Sequence, residues 1–356
     1  TVVFSAFGGV TDALIRMSDK AAAGDESYLQ DFDAFRQRHL EAAEALLQPK
    51  ALKQVKPEFD ENHEDLRSLL SGIFLVREVS PRTRDYVLSF GERNAAFLIT
   101  HTLRRAGIRA QYLDARKVLR TDKRFGYATV LLEKTFREMA DHYELSPDVQ
   151  VVTGFIGSTE NGLTTTLGRG GSDYTAALLA AALQAELLEI WTDVDGVLTA
   201  DPRRVRKAFT VPRMTYQEAM EMSHFGAKVI YPPTIQPAAS RGIPIVIRNT
   251  FRPDFPGTYI SAEGDPDTRR AVKGISSISD LALLTLQGSG LFGVPGTAGR
   301  LFSSLAREGI NVILITQGSS EHSISFALRP EVAEQAVACL EKEFEYELRL
   351  RQVDPV

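Results

Sequence analysis

The segment Gly168-Arg169-Gly170-Gly171-Ser172-Asp173 lies between a strand-like run at residues 162–167 and an alanine-rich helical run at 172–184, and an apolar run follows at 187–192. Strands alternating with helices in this way argue for a parallel α/β sheet with helices on its faces. The rest of the first 250 or so positions repeats the theme. Residues 2–6 read as a buried strand, Gly8-Gly9 as a turn, and the positions to about 22 as a helix. A long helix is expected from about 85 to 105, stopped by Gly107. A strand at 108–113, a helix at 131–142, a strand at 149–155, a helix from 215 to 223 and a closing strand at 243–248 complete the pattern. Residues 26–78 are polar and helix-patterned, as in a helical insertion or lid.

Pro253, Pro256, Gly257, Gly264 and Pro266 then punctuate a passage that reads as a connector. Beyond it we expect a strand at 281–286, a helix at 296–308, strands at 311–316 and 322–328, a helix at 331–344 and a last strand at 345–350. That is the ferredoxin-like β-α-β-β-α-β order. The domains are accordingly placed at 1–252 and 270–356.

Composition removes several classes of function. A net charge of −5 points to no nucleic-acid or acidic-membrane partner. The longest apolar runs are strand-sized, well short of the about 20 residues of a membrane helix. Cys339 is the sole cysteine, which fits a reducing cytoplasm and rules out an internal disulfide or a thiolate cluster. The six histidines lack metal-ligand spacing. Neither a Walker A loop nor the protein-kinase signatures occur. The chain opens on Thr1-Val2-Val3-Phe4-Ser5-Ala6, a strand already under way, so an N-terminal piece is expected to be absent.

Candidate chemistry gathers at strand-to-turn junctions. In the Gly168–Asp173 loop, glycines allow backbone amides to approach an anion at a helix N-terminus, Ser172 suits the N-cap, and Arg169 offers a planar fork for a carboxylate or phosphate. The plain alternative is a tight turn before a capped helix. Trp191-Thr192-Asp193-Val194-Asp195-Gly196 and Asp201-Pro202-Arg203 follow a strand end, where carboxylates hold magnesium through water or simply make Asp-Gly and Asp-Pro turns. Lys228, in Phe225-Gly226-Ala227-Lys228, is a phosphate ligand or a surface lysine. Glu92, in Ser89-Phe90-Gly91-Glu92-Arg93-Asn94, meets a substrate ammonium or the helix dipole. Ser5-Ala6-Phe7-Gly8-Gly9-Val10-Thr11 is a hydroxyl-flanked substrate turn or a structural one.

Together with Gly154-Phe155-Ile156-Gly157 and Tyr231-Pro232, these segments, in this order, resemble the aspartate kinases of the amino acid kinase family, from Thr1 to about Asn249. The resemblance implies an amino acid kinase-like, mainly parallel sheet sandwiched by helices. It also implies transfer of the terminal phosphoryl group of ATP, with Mg2+, to the side-chain carboxylate of L-aspartate. Ser5, Thr11, Glu92, Arg169, Ser172 and Asp173 would surround aspartate, Arg169 pairing with its α-carboxylate. Thr192, Asp193, Arg203 and Lys228 would lie along ATP, with Lys228, Asp193 and Arg169 the catalytic set. Leu198 stands where some relatives have a tyrosine near the nucleotide, and no contact is assigned to it. The later residues are similar to an ACT module of the threonine-regulated class, often fused to homoserine dehydrogenase. Asn311 and Gln317 would touch a threonine or lysine effector, and the ACT half would build a homodimer or higher oligomer. The family's Lys-Phe-Gly-Gly-Thr-Ser segment has no match, and the second ACT module that usually follows is not in this sequence, so a fragment of a longer protein is expected. The alternatives are a kinase acting on glutamate, a carbamate or a nucleoside monophosphate, or a catalytically silent amino-acid sensor.

Overall fold

The computed structural model describes residues 1–224, 231–265, 272–291, 293–318 and 322–356. The chain divides into two compact units, Thr1–Ser276 and Ser277–Val356.

The first unit opens with β1 (Val2–Phe4) and four helices, α1 (Val10–Ala23), α2 (Tyr28–Leu46), α3 (Pro49–Val76) and α4 (Pro81–Arg105). On α1, Val10, Leu14, Met17 and Ala21 are buried, a three-to-four-residue spacing that puts them on one face. That face meets Phe32, Leu66, Leu70 and Phe90 from the other helices in one core. α4 starts at Pro81, earlier than expected, because Ser80 accepts the Thr83 amide as an N-cap and proline suits the first helical position.

The strands and remaining helices follow in order: β2 (Ala110–Leu113), β3 (Arg120–Thr121), α5 (Leu132–Glu144), β4 (Val149–Thr153), β5 (Ile156–Thr159), β6 (Thr164–Thr166), α6 (Gly171–Leu183), β7 (Leu188–Thr192), β8 (Arg213–Thr215), α7 (Tyr216–His224), α8 (Pro232–Ala239), β9 (Ile245–Asn249) and β10 (Thr258–Ser261). One sheet, β1-β4-β2, is parallel throughout. A second, β7-β9-β10-β8, is parallel except between β9 and β10. A small third sheet, β3-β5-β6, ends in an antiparallel hairpin. Helix α6 joins the two larger ones. Its Ala177 and Ala180 pack with Ile190 and Ile245 of the second sheet, while Leu178 and Leu179 pack with Val152 and Ile156 on the other side.

Two expectations need correction here. The passage from Pro253 to Pro266 is more than a connector, since β10 runs inside it and pairs with both β9 and β8. Thr258 and Ile260 are fully buried there, so the first unit extends past 252 to Ser276. The strand expected at 149–155 stops at Thr153, because Phe155 takes a left-handed backbone (φ 65°) and β5 begins after it.

The second unit contains β11 (Ala282–Gln287), α9 (Thr297–Arg307), β12 (Leu314–Gln317), β13 (Ser323–Leu328), α10 (Ala333–Glu343) and α11 (Glu345–Arg349). The sheet order is β11-β13-β12, antiparallel at both joints. Leu286, Leu301, Leu305, Phe326 and Leu340 share its core. The ferredoxin-like order therefore holds through α10. The strand expected at 345–350 is instead the helix α11. Its apolar alternation at Tyr346, Leu348 and Leu350 suits a strand, yet Tyr346 and Leu350 stay exposed. What wins is helical spacing: Phe344 is buried, Leu348 packs on the same core, and Glu345 pairs with Arg349 one turn on.

Candidate active site

The C-terminal ends of β1 and β4 lie side by side, with Phe4 opposite Thr153 and the Gly154 amide donating to the Phe4 carbonyl at 2.9 Å. Open α/β sheets place ligands at this end of their strands. After β1 the chain turns through Ser5–Thr11, closed by the Val10 amide donating to the Phe7 carbonyl. Ser5 is exposed, and Thr11 is half-buried in the first turn of α1.

Helix α4 packs beneath this turn. Glu92 is 4% exposed, and its Oε1 accepts the Ala6 amide at 3.2 Å, while its Oε2 has no partner. Burial without an adjacent cation pushes the Glu92 carboxyl up to about 7. Two turns earlier on the same helix, the buried Asp85 accepts from the Gly126 amide, the Thr166 amide and the Thr166 hydroxyl. Burial raises the Asp85 carboxyl even so. This carboxylate ties α4 to β6, from which the glycine loop departs, and nothing in its local sequence announced it.

The glycine loop leads from β6 into α6. Its N-cap is Gly170, in a left-handed conformation (φ 68°), not Ser172, which lies inside the helix. A side chain at Gly170 would collide with Tyr231, so this left-handed position takes a glycine, and the cap falls two residues before the serine. Ser172 instead abuts Gly154 at the end of β4. Asp173 is half-buried in the first turn, and burial moves its carboxyl up to about 6. Arg169 is exposed on the loop.

The second cluster sits at the end of β7. Thr192 lies opposite Asn249 of β9, and its hydroxyl donates to Asp193 at 3.2 Å. Asp195 accepts from Asn249 at 2.8 Å and pairs with Arg252. Arg203 turns back onto Asp201, with Nε at 3.1 Å and Nη2 at 2.9 Å from its carboxylate. Leu198 is half-buried and bridges Thr210. Lys228 lies outside the described residues. In the second unit, Asn311 precedes β12 and Gln317 ends it, both exposed.

Ser5, Thr11, Glu92, Ser172 and Asp173 thus belong to segments that meet at the β1/β4 end. Thr192 and Asp193 belong to the end of β7, and α6 connects the two places. Among the described residues no group of three or more His, Cys, Asp or Glu is arranged to hold a metal, and no helix is long and apolar enough to cross a membrane.

The amino acid kinase family model matches residues 1–249, and an ACT domain model matches residues 284–344. The lysine-sensitive aspartokinase 3 of Escherichia coli is 36% identical over 92% of the chain and 71% of its own length. The chain belongs to the aspartokinases of the amino acid kinase family. An Arabidopsis thaliana bifunctional aspartokinase/homoserine dehydrogenase 2 is 39% identical over 95% of this aspartokinase-family chain. The match covers 37% of that relative, so the chain spans under two-fifths of its length. The crystal structure of E. coli aspartokinase III in complex with aspartate and ADP superposes with a TM-score of 0.71 at 29% identity, covering 97% of this chain and 92% of that one.

Proposed function

We propose that this chain is the catalytic and first regulatory part of an aspartate kinase, which transfers the terminal phosphoryl group of ATP to the side-chain carboxylate of L-aspartate. The product, 4-phospho-L-aspartate, would feed lysine, threonine and methionine synthesis. The observation that carries this reading is Glu92, a buried carboxylate with an unpartnered oxygen beside the Ser5–Thr11 turn. Such a group fits an ammonium, and the related crystal structure in complex with aspartate and ADP supports aspartate as the substrate.

The acceptor needs no general base, since its side-chain carboxyl has a pKa of about 3.9 and is already ionised at neutral pH. The obstacle is bringing one anion against another, so catalysis rests on positioning and charge neutralisation. Glu92 holds the α-ammonium, and Ser5, Thr11, Ser172 and Asp173 line the substrate. Arg169 pairs with the α-carboxylate, and the amides at the start of α6 face the negative groups. Thr192 and Asp193 border the nucleotide, and Lys228 meets its phosphates. Arg203, held by Asp201, would have to leave that pair to reach ATP. A divalent ion fits only as a companion of the phosphates, because Asp193 is the carboxylate there without a cationic partner among the described residues. Magnesium would neutralise phosphate charge.

Feedback would enter through the ACT half, with threonine or lysine near Asn311 and Gln317. Strand β12 is exposed along its length, with Leu314 and Ile315 bare at a sheet edge, which supports pairing of two copies there. A single half-buried cysteine supports a cytoplasmic setting. Incubating the full-length protein with terminally labelled ATP and aspartate, glutamate, a carbamate source or a nucleoside monophosphate tests the acceptor. Label on aspartate alone is expected. Label on another acceptor, or on none, overturns the reading.

A further inference from the structure

Helices α2 and α3 belong to the stretch whose sequence suggested only an insertion or lid, yet α2 reaches the substrate turn with two neighbouring residues. Arg38 Nη1 donates to the Gly8 carbonyl at 2.6 Å. His39 stacks on Phe7, with ring centroids 5.1 Å apart and planes 18° from parallel. Ala6, one residue earlier, is held from the opposite element, α4, by Glu92 and by contact with Gly91.

His39 is fully buried, and its Nδ1 lies 2.8 Å from the Phe35 carbonyl. A carbonyl only accepts, so Nδ1 carries the proton and the neutral ring is locked in orientation by its own helix. Around it stand Phe35, Phe59 and His63, the last at 5.8 Å between ring centroids. Phe35 and Phe59 are buried, and His63 is likewise locked onto the Phe59 carbonyl. A ring fixed on so many sides offers Phe7 a rigid surface, and Arg38 fixes the next peptide group from the solvent side.

We infer that Arg38 and His39 are positioning residues that hold the Phe7-Gly8 turn, and with it Ser5 and Thr11, in the shape that binds the amino-acid substrate. This rests on the proposed placement of aspartate at that turn. Neither side chain touches the reacting atoms, so their loss acts on acceptor binding while the nucleotide side, built on β7, keeps its geometry.

The test uses the full-length enzyme with the wild type in parallel. Arg38→Ala raises the KM for aspartate about tenfold, with kcat and the KM for ATP within about twofold. Arg38→Lys, which keeps a donor, recovers most of the loss. His39→Ala acts in the same direction, and His39→Phe, which keeps the stack and the burial, binds aspartate as the wild type does. Independently of activity, amide hydrogen exchange at residues 5–11 accelerates in Arg38→Ala and not in His39→Phe. A wild type that ignores aspartate defeats the proposed function and leaves the exchange measurement to judge the turn. An unchanged KM and unchanged exchange in Arg38→Ala defeat the positioning role, as does a parallel fall of every kinetic constant with the melting temperature.

Discussion

A β-carbon added to Gly154 would lie 2.5 Å from both Cβ and Oγ of Ser172 and 2.8 Å from its Cα. The end of β4 and the start of α6 are therefore in backbone contact, with no room for a methyl group. Because Cα is part of the obstacle, the helix itself would have to move. Gly154→Ala should cost about 1–3 kcal/mol in chemical denaturation, the usual range for overpacking. Gly8→Ala, whose added carbon meets nothing within 4 Å, should stay within about 0.5 kcal/mol.

Glu92 predicts a pH dependence of acceptor binding. Its carboxyl, pushed up to about 7 by burial, is partly protonated at neutral pH before substrate arrives. Only the ionised form attracts an ammonium, so aspartate affinity should rise as pH goes from about 6 to 8. Calorimetry in buffers of different ionisation heat should show proton release on binding near pH 7. Glu92→Gln should weaken binding and flatten that dependence.

His39 predicts an acid-sensitive fold. Burial pulls its imidazole down to about 4 from an ordinary 6.5, and burial lowers His63 too. Between those values the unfolded chain binds a proton that the folded protein refuses, so stability falls as pH drops from about 6.5 toward 4. For His39 alone the loss is on the order of 3 kcal/mol. Urea melts at pH 7 and pH 5 should show the drop, and His39→Phe should reduce it.

Lys228 and Arg169 should separate kinetically. Lys228→Ala is expected to lower kcat by about a hundredfold or more with little change in aspartate binding, as for lost phosphate neutralisation. Arg169→Ala should raise the aspartate KM and weaken discrimination against β-alanine, which lacks the α-carboxylate. Steady-state kinetics with both acceptors reads each outcome.

The alternation of strands and helices was legible because period and turn chemistry agree, as at Gly168–Asp173 before α6. Where two periods compete the sequence misled: residues 345–350 alternate like a strand, yet Phe344 and Leu348 are one helical turn apart and the core takes them. The prolines around β10 read as a linker because their strand is short and its burial comes from distant partners. Ser172 resembled an N-cap, but the nearness of Tyr231 and Phe155 to the glycines sets the cap at Gly170. Contacts between remote segments left no local trace: Asp85 with Thr166, and Arg38 on Gly8.

The most direct measurement traps the product. Full-length protein, ATP, magnesium and L-aspartate are incubated with hydroxylamine, which converts an acyl phosphate to a hydroxamate, and the hydroxamate is identified by mass spectrometry alongside ADP. The account predicts the side-chain hydroxamate of aspartate, formed in step with ADP and lost in Lys228→Ala. ADP release without any hydroxamate, or a hydroxamate made from glutamate in place of aspartate, would contradict it.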